Sequence, residues 1–372
     1  MFYHLILTDR CNLCCSYCRG KVFDAEEDYG IDVEIDESLP LDFDSGIEDL
    51  CEFLKNDPDA VLTFYGGEPL MRMDLVREIM DKAPVGKFMI QTNGMLLHRL
   101  EPEYVNRFDT ILISIDGPRE LTDLHRGAGV FDRIVQTLNK IRAEGFKGEI
   151  IARMTVVENT DIYSAVKYLS SNPYFSFSSV HWQIDADFSN DYRKRNFGTW
   201  VRESYNPGIR RLISEWQGIM ENEGRVVRWY PFLDTMQDLL TGRKSRLRCG
   251  SGYINYSIMT DGHIAPCPVM VGMKKYYLGH ISTTHPLHIP QVDVSEPCSR
   301  CDIRDFCGGR CLYSNIIRPW PENQRDVVCG TVRNLYEGLS EAVPGVVELL
   351  RQGRIFMADF DHTRYNGCEI IP

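Results

Sequence analysis

The sequence lacks any long hydrophobic run, and the apolar start Met-Phe-Tyr-His-Leu-Ile-Leu-Thr turns polar at Asp9. A membrane-spanning helix needs about 20 apolar residues, and a signal peptide needs a positively charged start. Basic residues are also in deficit, because 41 Lys and Arg face 53 Asp and Glu, a net charge of −12. A nucleic-acid-binding surface would be basic. These absences predict a cytoplasmic protein that binds neither a membrane nor a nucleic acid.

Cysteine is nearly missing from the middle of the chain, where only Cys51 falls between residues 19 and 248. Of the 13 cysteines, four lie within residues 11–18 and seven within 249–329. Because thiols stay reduced in the cytoplasm, disulfides do not account for this clustering. We therefore expect two metal-binding regions that flank a cysteine-poor body. The one basic stretch, Arg243 to Arg248, is expected to be solvated surface.

The first half of the chain alternates short apolar runs with amphipathic segments, a pattern typical of βα units around a parallel sheet. The predicted strands are His4–Thr8, Ala60–Tyr65, Lys87–Gln91, Thr110–Ile115, Glu149–Val156 and Ser179–Ile184. The predicted helices between them include Ser45–Asn56, Met73–Ala83 and Phe131–Glu144. This pattern indicates a partial or complete barrel, or a doubly wound sheet.

The later part of the chain has a different character. Residues 187–248 are predicted to be mainly helical, with a loop around Asn206-Pro207-Gly208. From about residue 249 the sequence is rich in Gly, Pro and Cys, which is typical of a small domain held together by metal. A last helix is predicted from Thr331 to Ala342.

Polar and glycine-rich motifs follow four successive predicted strands. They read Thr-Asp-Arg-Cys, Gly-Gly-Glu-Pro (66–69), Gln-Thr-Asn-Gly (91–94) and Ser-Ile-Asp-Gly-Pro (114–118). In barrels and open α/β sheets, active sites form at the carboxyl ends of the strands. The order of the motifs therefore predicts a site at that edge.

The first cysteine group has the spacing C-x3-C-x2-C, formed by Cys11, Cys15 and Cys18. Three thiolates can hold three irons of a [4Fe–4S] cube, which usually takes four cysteines, so one iron is left for substrate chemistry. The alternative is a zinc knuckle completed by Cys14 or His4.

This spacing, with Tyr17 before the last cysteine, resembles the signature of the radical S-adenosylmethionine (SAM) superfamily. The resemblance implies that the open iron chelates the amino and carboxylate groups of SAM, and that electron transfer then yields a 5′-deoxyadenosyl radical. It also implies that the glycines Gly66 and Gly67 allow a close backbone approach, and that backbone carbonyl groups and Glu68 meet the SAM ammonium. Asn93 is expected to contact the ribose.

Two further residues match positions that hold the SAM carboxylate in related enzymes, namely Ser114 and Arg126. An arginine suits a carboxylate because its planar group donates two parallel hydrogen bonds. Taken singly, each motif has a simpler explanation: Gly-Gly-Glu-Pro as a turn, Ser114 as a turn cap and Arg126 as a surface residue.

The second cysteine group reads Cys249-x12-Gly262-x4-Cys267, then Cys298-x2-Cys301-x5-Cys307-x3-Cys311-x17-Cys329. Two zinc ions would need an eighth ligand, such as His263 or His280. The string resembles the SPASM domain, the C-terminal extension of radical SAM enzymes that modify peptides and proteins.

The SPASM resemblance implies two auxiliary [4Fe–4S] clusters and therefore three clusters in all. It assigns Cys249, Cys267 and Cys311 to the first auxiliary cluster. The ligands of the second auxiliary cluster would be Cys298, Cys301, Cys307 and Cys329. The further cysteine that fully ligated members carry after the first one is absent, so the first cluster would have an open iron or an unexpected ligand. Asn255 and Asp261 are the candidates.

Together these resemblances predict an α/β fold, a partial (β/α)6 TIM-like barrel followed by a small cysteine-rich iron–sulfur domain. The expected borders are 1–240 for the barrel, 241–335 for the SPASM domain and 336–372 for a C-terminal helix and tail. The chain starts directly on its first strand, so we expect the barrel and C-terminal domain, or a borrowed partner, to recognise substrate.

The expected reaction is an oxidative modification of a peptide or protein, such as a thioether, a carbon–carbon cross-link or a side-chain oxidation. Epimerisation and decarboxylation stay open, and an electron donor such as ferredoxin or flavodoxin is implied. Sulfatase maturases carry an Asp where this chain has Pro268, which argues against that activity.

The candidate proton-transfer groups are Asp185 and His125, although Asp185 could instead cap a helix or anchor substrate. The rival classes are a non-catalytic iron–sulfur electron carrier and a zinc-stapled interaction module. The electron carrier would explain the cysteines but not the motifs at Gly66–Pro69, Ser114 and Arg126, and the zinc-stapled module predicts a colourless protein.

Overall fold

The computed structural model describes residues 1–18, 33–186, 195–317 and 322–368. Its strands are β1 (Phe2–Thr8), β2 (Val61–Gly66), β3 (Lys87–Thr92), β4 (Phe108–Ser114), β5 (Glu149–Val156), β6 (Ser179–Ile184), β7 (Asn255–Ile258) and β8 (Ile264–Ala265). Within the described ranges, the α-helices up to residue 170 are α1 (Ile47–Lys55), α2 (Met73–Lys82), α3 (Pro102–Val105), α4 (Arg119–Arg126), α5 (Val130–Ala143) and α6 (Ile162–Ser170). The later ones are α7 (Phe197–Trp200), α8 (Asn206–Glu223), α9 (Tyr230–Thr241), α10 (Arg304–Cys307), α11 (Leu312–Ile316) and α12 (Glu322–Arg351).

The first compact unit is built around a mostly parallel sheet and comprises Met1–Ile115, Arg119–Ala152 and Gly250–Asp293. Its strand order is β5-β4-β3-β2-β1-β7-β8. The pairs from β1 to β4 and the β1–β7 pair are parallel, whereas β7 and β8 are antiparallel. Leu5 of β1 is in register with Phe64 of β2 and Ile258 of β7, and all three are fully buried. Burial on both faces explains why these strands read as continuous apolar runs.

The second compact unit comprises Asp116–Pro118, Arg153–Cys249 and Val294–Pro372. Here β6 lies beside the last part of β5. The aromatic core forms around Phe232, whose ring centroid lies 5.3 Å from that of Trp182 and 5.5 Å from that of Trp216. Helix α8 packs against α12, where Arg210 donates to the Asn334 side chain at 2.8 Å.

The predicted α/β class is confirmed, and all six predicted strands are present. Glu149–Val156 and Ser179–Ile184 have the predicted bounds. The compact units divide the chain differently from the expected domain borders, because each unit is built from separate stretches of chain. Those borders stay predictions.

The predicted loop around Asn206-Pro207-Gly208 is wrong, because helix α8 begins at Asn206. Pro207 is the second residue of α8, and its fixed φ is compatible with helical backbone. The π-helix Val201–Tyr205 joins α7 to α8 without a loop. The predicted helix Thr331–Ala342 is also longer than expected, since α12 continues through Pro344.

The basic stretch from Arg243 to Arg248 is only partly solvated, which corrects the prediction from sequence. The side chain of Lys244 is 77% exposed, whereas that of Arg248 is 1% exposed and forms ion pairs with Asp234 and Asp238 of α9. A buried guanidinium requires such carboxylates. Arg248 is therefore a buried part of the second unit.

None of the helices in the described ranges is long and apolar enough to cross a membrane.

Candidate radical SAM site

The loop after β1 carries the three cysteines of the first motif, Cys11, Cys15 and Cys18. Cys11 is exposed, whereas Cys15 and Cys18 are partly buried. The N–H of Cys18 donates to the carbonyl of Cys15 at 3.2 Å, which closes a tight turn. Burial raises the pKa of Cys11, and the nearby Glu68, Cys15 and Cys18 raise it further against a backbone N–H that lowers it. The three thiols are thus close enough to influence one another electrostatically.

The two glycines at the end of β2, Gly66 and Gly67, let the chain pack against this loop. The N–H of Gly67 donates to the carbonyl of Thr8 at 2.8 Å, and that of Glu68 donates to the carbonyl of Arg10 at 2.9 Å. A Cβ at Gly66 would clash with the Thr8 carbonyl oxygen, and one at Gly67 with that of Arg10. The two glycines therefore allow a close backbone approach to the chain's own β1 end and cysteine loop, and their contact with SAM stays a prediction.

Glu68 joins the ends of β2 and β3. Its carboxylate accepts hydrogen bonds from the Thr92 hydroxyl at 2.7 Å, the Asn93 N–H at 2.8 Å and the Leu70 N–H at 3.1 Å. The side chain is fully buried, and burial raises its pKa to about 7 although these donors lower it. Its contact with the SAM ammonium stays a prediction, and its visible role is to position neighbouring strands.

Asn93 connects the end of β3 to the cysteine loop. Its side-chain amide donates to Asn12 at 2.8 Å and lies 3.8 Å from the sulfur of Cys11. Its oxygen accepts from the N–H of Met95 at 2.9 Å, which fixes the orientation of the amide. The predicted contact with the SAM ribose remains untested.

The C-terminal end of α4 holds the same loop from another side. The carbonyl of His125 accepts from the Ser16 N–H, and its Nδ1 lies 2.9 Å from the Ser16 hydroxyl. Tyr17 contacts two α4 residues: its ring centroid lies 5.5 Å from that of the tilted His125 ring and 5.5 Å from the Arg126 guanidinium carbon. Arg126 is buried, so it is not a surface residue. His125 holds the loop, and its proposed proton transfer stays a prediction.

Ser114 ends β4, as its motif predicted, and is partly exposed. Its hydroxyl forms no hydrogen bond with the described residues. The structure thus brings Tyr17, Gly66, Gly67, Glu68, Asn93, His125 and Arg126 to the cysteine loop or its immediate supports.

The donor set fits an iron–sulfur cluster. Among residues 1–18, 33–186, 195–317 and 322–368, no three His, Cys, Asp or Glu side chains converge on a point that could hold one metal ion. Three cysteine thiolates on one loop are the type of ligand that a [4Fe–4S] cluster takes, with each thiolate on a different iron. The Asn93 amide beside Cys11 also offers a donor to a thiolate.

The second unit holds the four cysteines expected to form a complete set. Cys307 lies at the end of α10, and burial raises its pKa to about 11. The charges of Cys298 and Cys329 raise this pKa as well, and burial likewise raises the pKa of Cys298, with Cys301 adding to it. Four thiols that interact electrostatically are suited to one cluster, although this assignment stays a prediction.

The cysteines expected to bind the first auxiliary cluster do not share one unit. Cys267 belongs to the first unit, and Cys249 and Cys311 belong to the second. The two candidate extra ligands are engaged elsewhere: the Asn255 oxygen lies 2.8 Å from the His4 Nδ1, and Asp261 contacts the Nδ1 of its own neighbour, His263, at 2.7 Å. This cluster and its fourth ligand stay predictions.

Asp185 lies just after β6 and forms an ion pair with Arg195 at 2.8 Å. Arg195 also binds Glu158 through Nε at 2.7 Å. Burial lowers the pKa of Arg195, but the two carboxylates raise it by more, so the guanidinium stays charged. An ion-paired carboxylate is a weak proton acceptor, which favours an anchoring role for Asp185.

Sequence reasoning missed three supporting residues: Ser16, Thr92 and Arg195. Ser16 and Thr92 lie inside the recognised motifs, so their positions could have marked them as residues of the site. Arg195 had no signal, since it lies in a stretch predicted only to be helical.

Residues 5–163 match the family model described as the radical SAM superfamily. With three thiols after β1 and supporting residues at the ends of β2, β3 and α4, this part of the chain matches a radical SAM domain. Domains of this family bind SAM and an iron–sulfur cluster.

Individual relatives extend the comparison. The chain is 32% identical to the Fe-coproporphyrin III synthase of Methanosarcina barkeri over 145 residues. This stretch covers 38% of this chain and 34% of the synthase. It is 24% identical to the mycofactocin maturase MftC of Mycobacterium tuberculosis over 345 residues, 87% of this chain and 81% of MftC. The chain spans only 34% and 58% of the first two curated relatives it matches, the second being an uncharacterized protein of Methanothermobacter thermautotrophicus.

Solved structures share the fold. Native anSMEcpe with bound AdoMet and Cp18Cys peptide superposes with a TM-score of 0.68 at 18% identity, covering 94% of this chain and 99% of that one. Streptococcus suis SuiB bound to its precursor peptide SuiA gives a TM-score of 0.55 at 16% identity, covering 83% and 71%. These matches confirm the predicted partial barrel of the radical SAM fold.

Proposed function

We propose that this protein is a radical SAM enzyme that cleaves SAM reductively and modifies a peptide or protein. The observation that carries the proposal is the three-thiol loop, fixed by Gly67, Glu68 and His125 within a radical SAM domain. The similarity to MftC along 87% of the chain supports a maturase of this kind. So do the neighbours whose structures contain AdoMet or peptides.

Each residue group would have a definite task. Cys11, Cys15 and Cys18 would hold three irons, and Arg126 with Ser114 would hold the SAM carboxylate, because a guanidinium donates paired hydrogen bonds. When bound, the cluster and SAM supply a one-electron cleavage of the sulfonium that yields a 5′-deoxyadenosyl radical. Asn93 would orient the nucleoside, and Glu68 would keep Asn93 in place.

The preferred reaction class is oxidative, which includes a thioether, a carbon–carbon cross-link or a side-chain oxidation. Two auxiliary clusters, three in all, would suit the removal of an electron from the substrate, and the four-cysteine set Cys298, Cys301, Cys307 and Cys329 is complete. A ferredoxin or flavodoxin would supply the electron for SAM cleavage. This oxygen-sensitive chemistry and the free thiols suit the cytoplasm.

The test is anaerobic reconstitution with iron and sulfide. The wild-type protein should bind about twelve irons and, when reduced with dithionite, release 5′-deoxyadenosine from SAM. Cys15→Ala should abolish this release and remove about four irons. The matched control is Cys14→Ala, whose exposed thiol lies one residue away and outside the motif.

Two results would reject the proposal: SAM cleavage that survives in Cys15→Ala, or zinc as the only bound metal. The mass of a modified peptide would then define the reaction. Loss of two hydrogens indicates oxidation, loss of carbon dioxide indicates decarboxylation, and an unchanged mass indicates epimerisation.

A further inference from the structure

One face of the β5–β6 pair is polar, although parallel strands covered by helices are usually apolar on both faces. The apolar side chains that alternate with the polar ones, such as Met154, Trp182 and Ile184, are buried. The polar face consists of Arg153 and Thr155 from β5 with His181 and Gln183 from β6, which we call the polar stripe. Arg153, Thr155 and Gln183 keep partial exposure. The polar stripe therefore borders space that solvent or a ligand can enter.

Arg153 lies at the centre of the polar stripe. Its Nη1 lies 3.1 Å from the Nδ1 of His181 and donates to the carbonyl of Gly367 at 2.9 Å. Its Nη2 donates to the Gln183 oxygen at 3.2 Å. Because a guanidinium can only donate, Nδ1 of His181 is the acceptor, which assigns the proton of the neutral ring to Nε2.

All three partners of Arg153 are neutral, and none of the described residues offers it a carboxylate within ion-pair distance. Asp185, the next residue on this face, is already paired with Arg195. A partly buried guanidinium without a counter-ion is unusual, since burial of a charge costs free energy unless it is paired. Of its five N–H groups, one on Nε and one on Nη2 form no hydrogen bond within the described residues. A carboxylate can accept from two such neighbouring donors.

We infer that the polar stripe is a binding site for a carboxylate of the substrate, with Arg153 as the anchor. This inference rests on the proposed function, and it narrows the substrate class to peptides with a free C-terminal carboxylate or an acidic side chain. Gln183 and His181 fix the plane of the guanidinium, so its free donors are presented in one orientation.

A purely structural role for Arg153 would be to hold the C-terminal segment, residues 361–368, through its hydrogen bond to the Gly367 carbonyl. The chain contains a suitable comparison, because Arg228 also donates to a carbonyl of that segment, Asp361, at 2.9 Å, and lies outside the polar stripe. Arg228→Gln is therefore the matched control for loss of a segment contact.

The experiment measures binding of fluorescein-labelled short peptide pools to the anaerobically reconstituted protein by fluorescence anisotropy. The pools differ in two ways: a C-terminal acid or amide, and the presence or absence of Asp and Glu. Wild-type protein should prefer pools that carry a carboxylate. Arg153→Gln should weaken that binding about tenfold or more, whereas Arg228→Gln should not.

Comparison of the peptide pools shows which carboxylate is bound. Loss of binding on amidation alone identifies a C-terminal carboxylate, and loss on removal of Asp and Glu identifies a side chain. Arg153→Lys keeps the charge but not the paired donors, so it should retain part of the preference for peptides that carry a carboxylate. This variant replaces Arg153→Gln in the test if Arg153→Gln does not fold. Equal binding of neutral and acidic pools by the wild type, or an unchanged preference in both Arg153 variants, overturns the inference. Failure of the proposed function is seen separately, as wild-type protein that releases no 5′-deoxyadenosine.

Discussion

Glu68 combines complete burial with an ionisable group, and this combination gives a pH-dependent stability. Burial raises its pKa from 4.5 to about 7, against three hydrogen bonds that lower it. The unfolded chain releases this proton near pH 4.5, so between about 4.5 and 7 the folded state binds more protons. The Glu68 contribution to the free energy of unfolding must therefore fall as the pH rises through this window and level off above it.

The slope should reach about 1.4 kcal/mol per pH unit within that window, and anaerobic urea unfolding at several pH values would measure it. Glu68→Gln cannot titrate and should lack this part of the slope. Glu78→Gln, at a half-exposed carboxylate of α2 that pairs with Lys82, should keep it. An identical slope in wild type and Glu68→Gln would contradict the assigned pKa.

At the scale of elements, the loops after β1 and β2 depend on each other for their shape. Gly67→Ala should disturb the cysteine loop, because its Cβ would meet the backbone oxygen of Asp9 at 2.6 Å and that of Arg10 even closer. Backbone atoms cannot rotate away, so we expect a loss of about 1–3 kcal/mol in the free energy of unfolding. About four irons should also be lost on desalting.

Gly86→Ala is the control for this substitution, since nothing lies within 4 Å of a Cβ built there. Its unfolding midpoint and iron content should match those of the wild type. If Gly67→Ala also matched the wild type in both measurements, the packing of the two loops would not determine cluster retention.

The elements show which parts of the fold can be predicted from sequence. The bounds of β5 and β6 follow from local alternation and apolar runs, and they were predicted correctly. The helical path through Pro207 was not predicted, because a proline in a sequence usually marks the boundary of a helix. Helix α12 passes Pro344 because packing against α8 outweighs a local preference.

The candidate site likewise has residues that could be predicted from the sequence and contacts that could not. The three loop cysteines, Asn93 and Arg126 were found because each lies in a local motif with a fixed spacing. The contacts of Ser16 with His125 and of Asp185 with Arg195 were not, since they join residues that no motif connects. Long-range pairing of polar side chains is set by the three-dimensional fold, and sequence spacing does not contain it.

At the scale of the whole chain, the second unit ties distant segments together through one buried ion network. Arg248 pairs with Asp234 and with Asp238 of α9 and donates to the carbonyl of Phe306, next to Cys307. Arg364, near the C-terminus, binds the same two aspartates. One buried cation therefore connects α9, the backbone of the four-cysteine set and, through the shared carboxylates, the C-terminal segment.

Arg248→Met should lower the free energy of unfolding by about 3–5 kcal/mol, because it leaves buried carboxylates without their buried partner. The freed carbonyl of Phe306 should also loosen the chain around Cys307, so about four irons should be lost while Cys15-dependent SAM cleavage continues. Lys244→Met is the control from the same basic stretch: its ion pair with Asp305 is exposed on both sides and should contribute about 1 kcal/mol or less. Equal effects of the two substitutions on urea unfolding would mean that Arg248 behaves as the solvated residue its sequence context suggested.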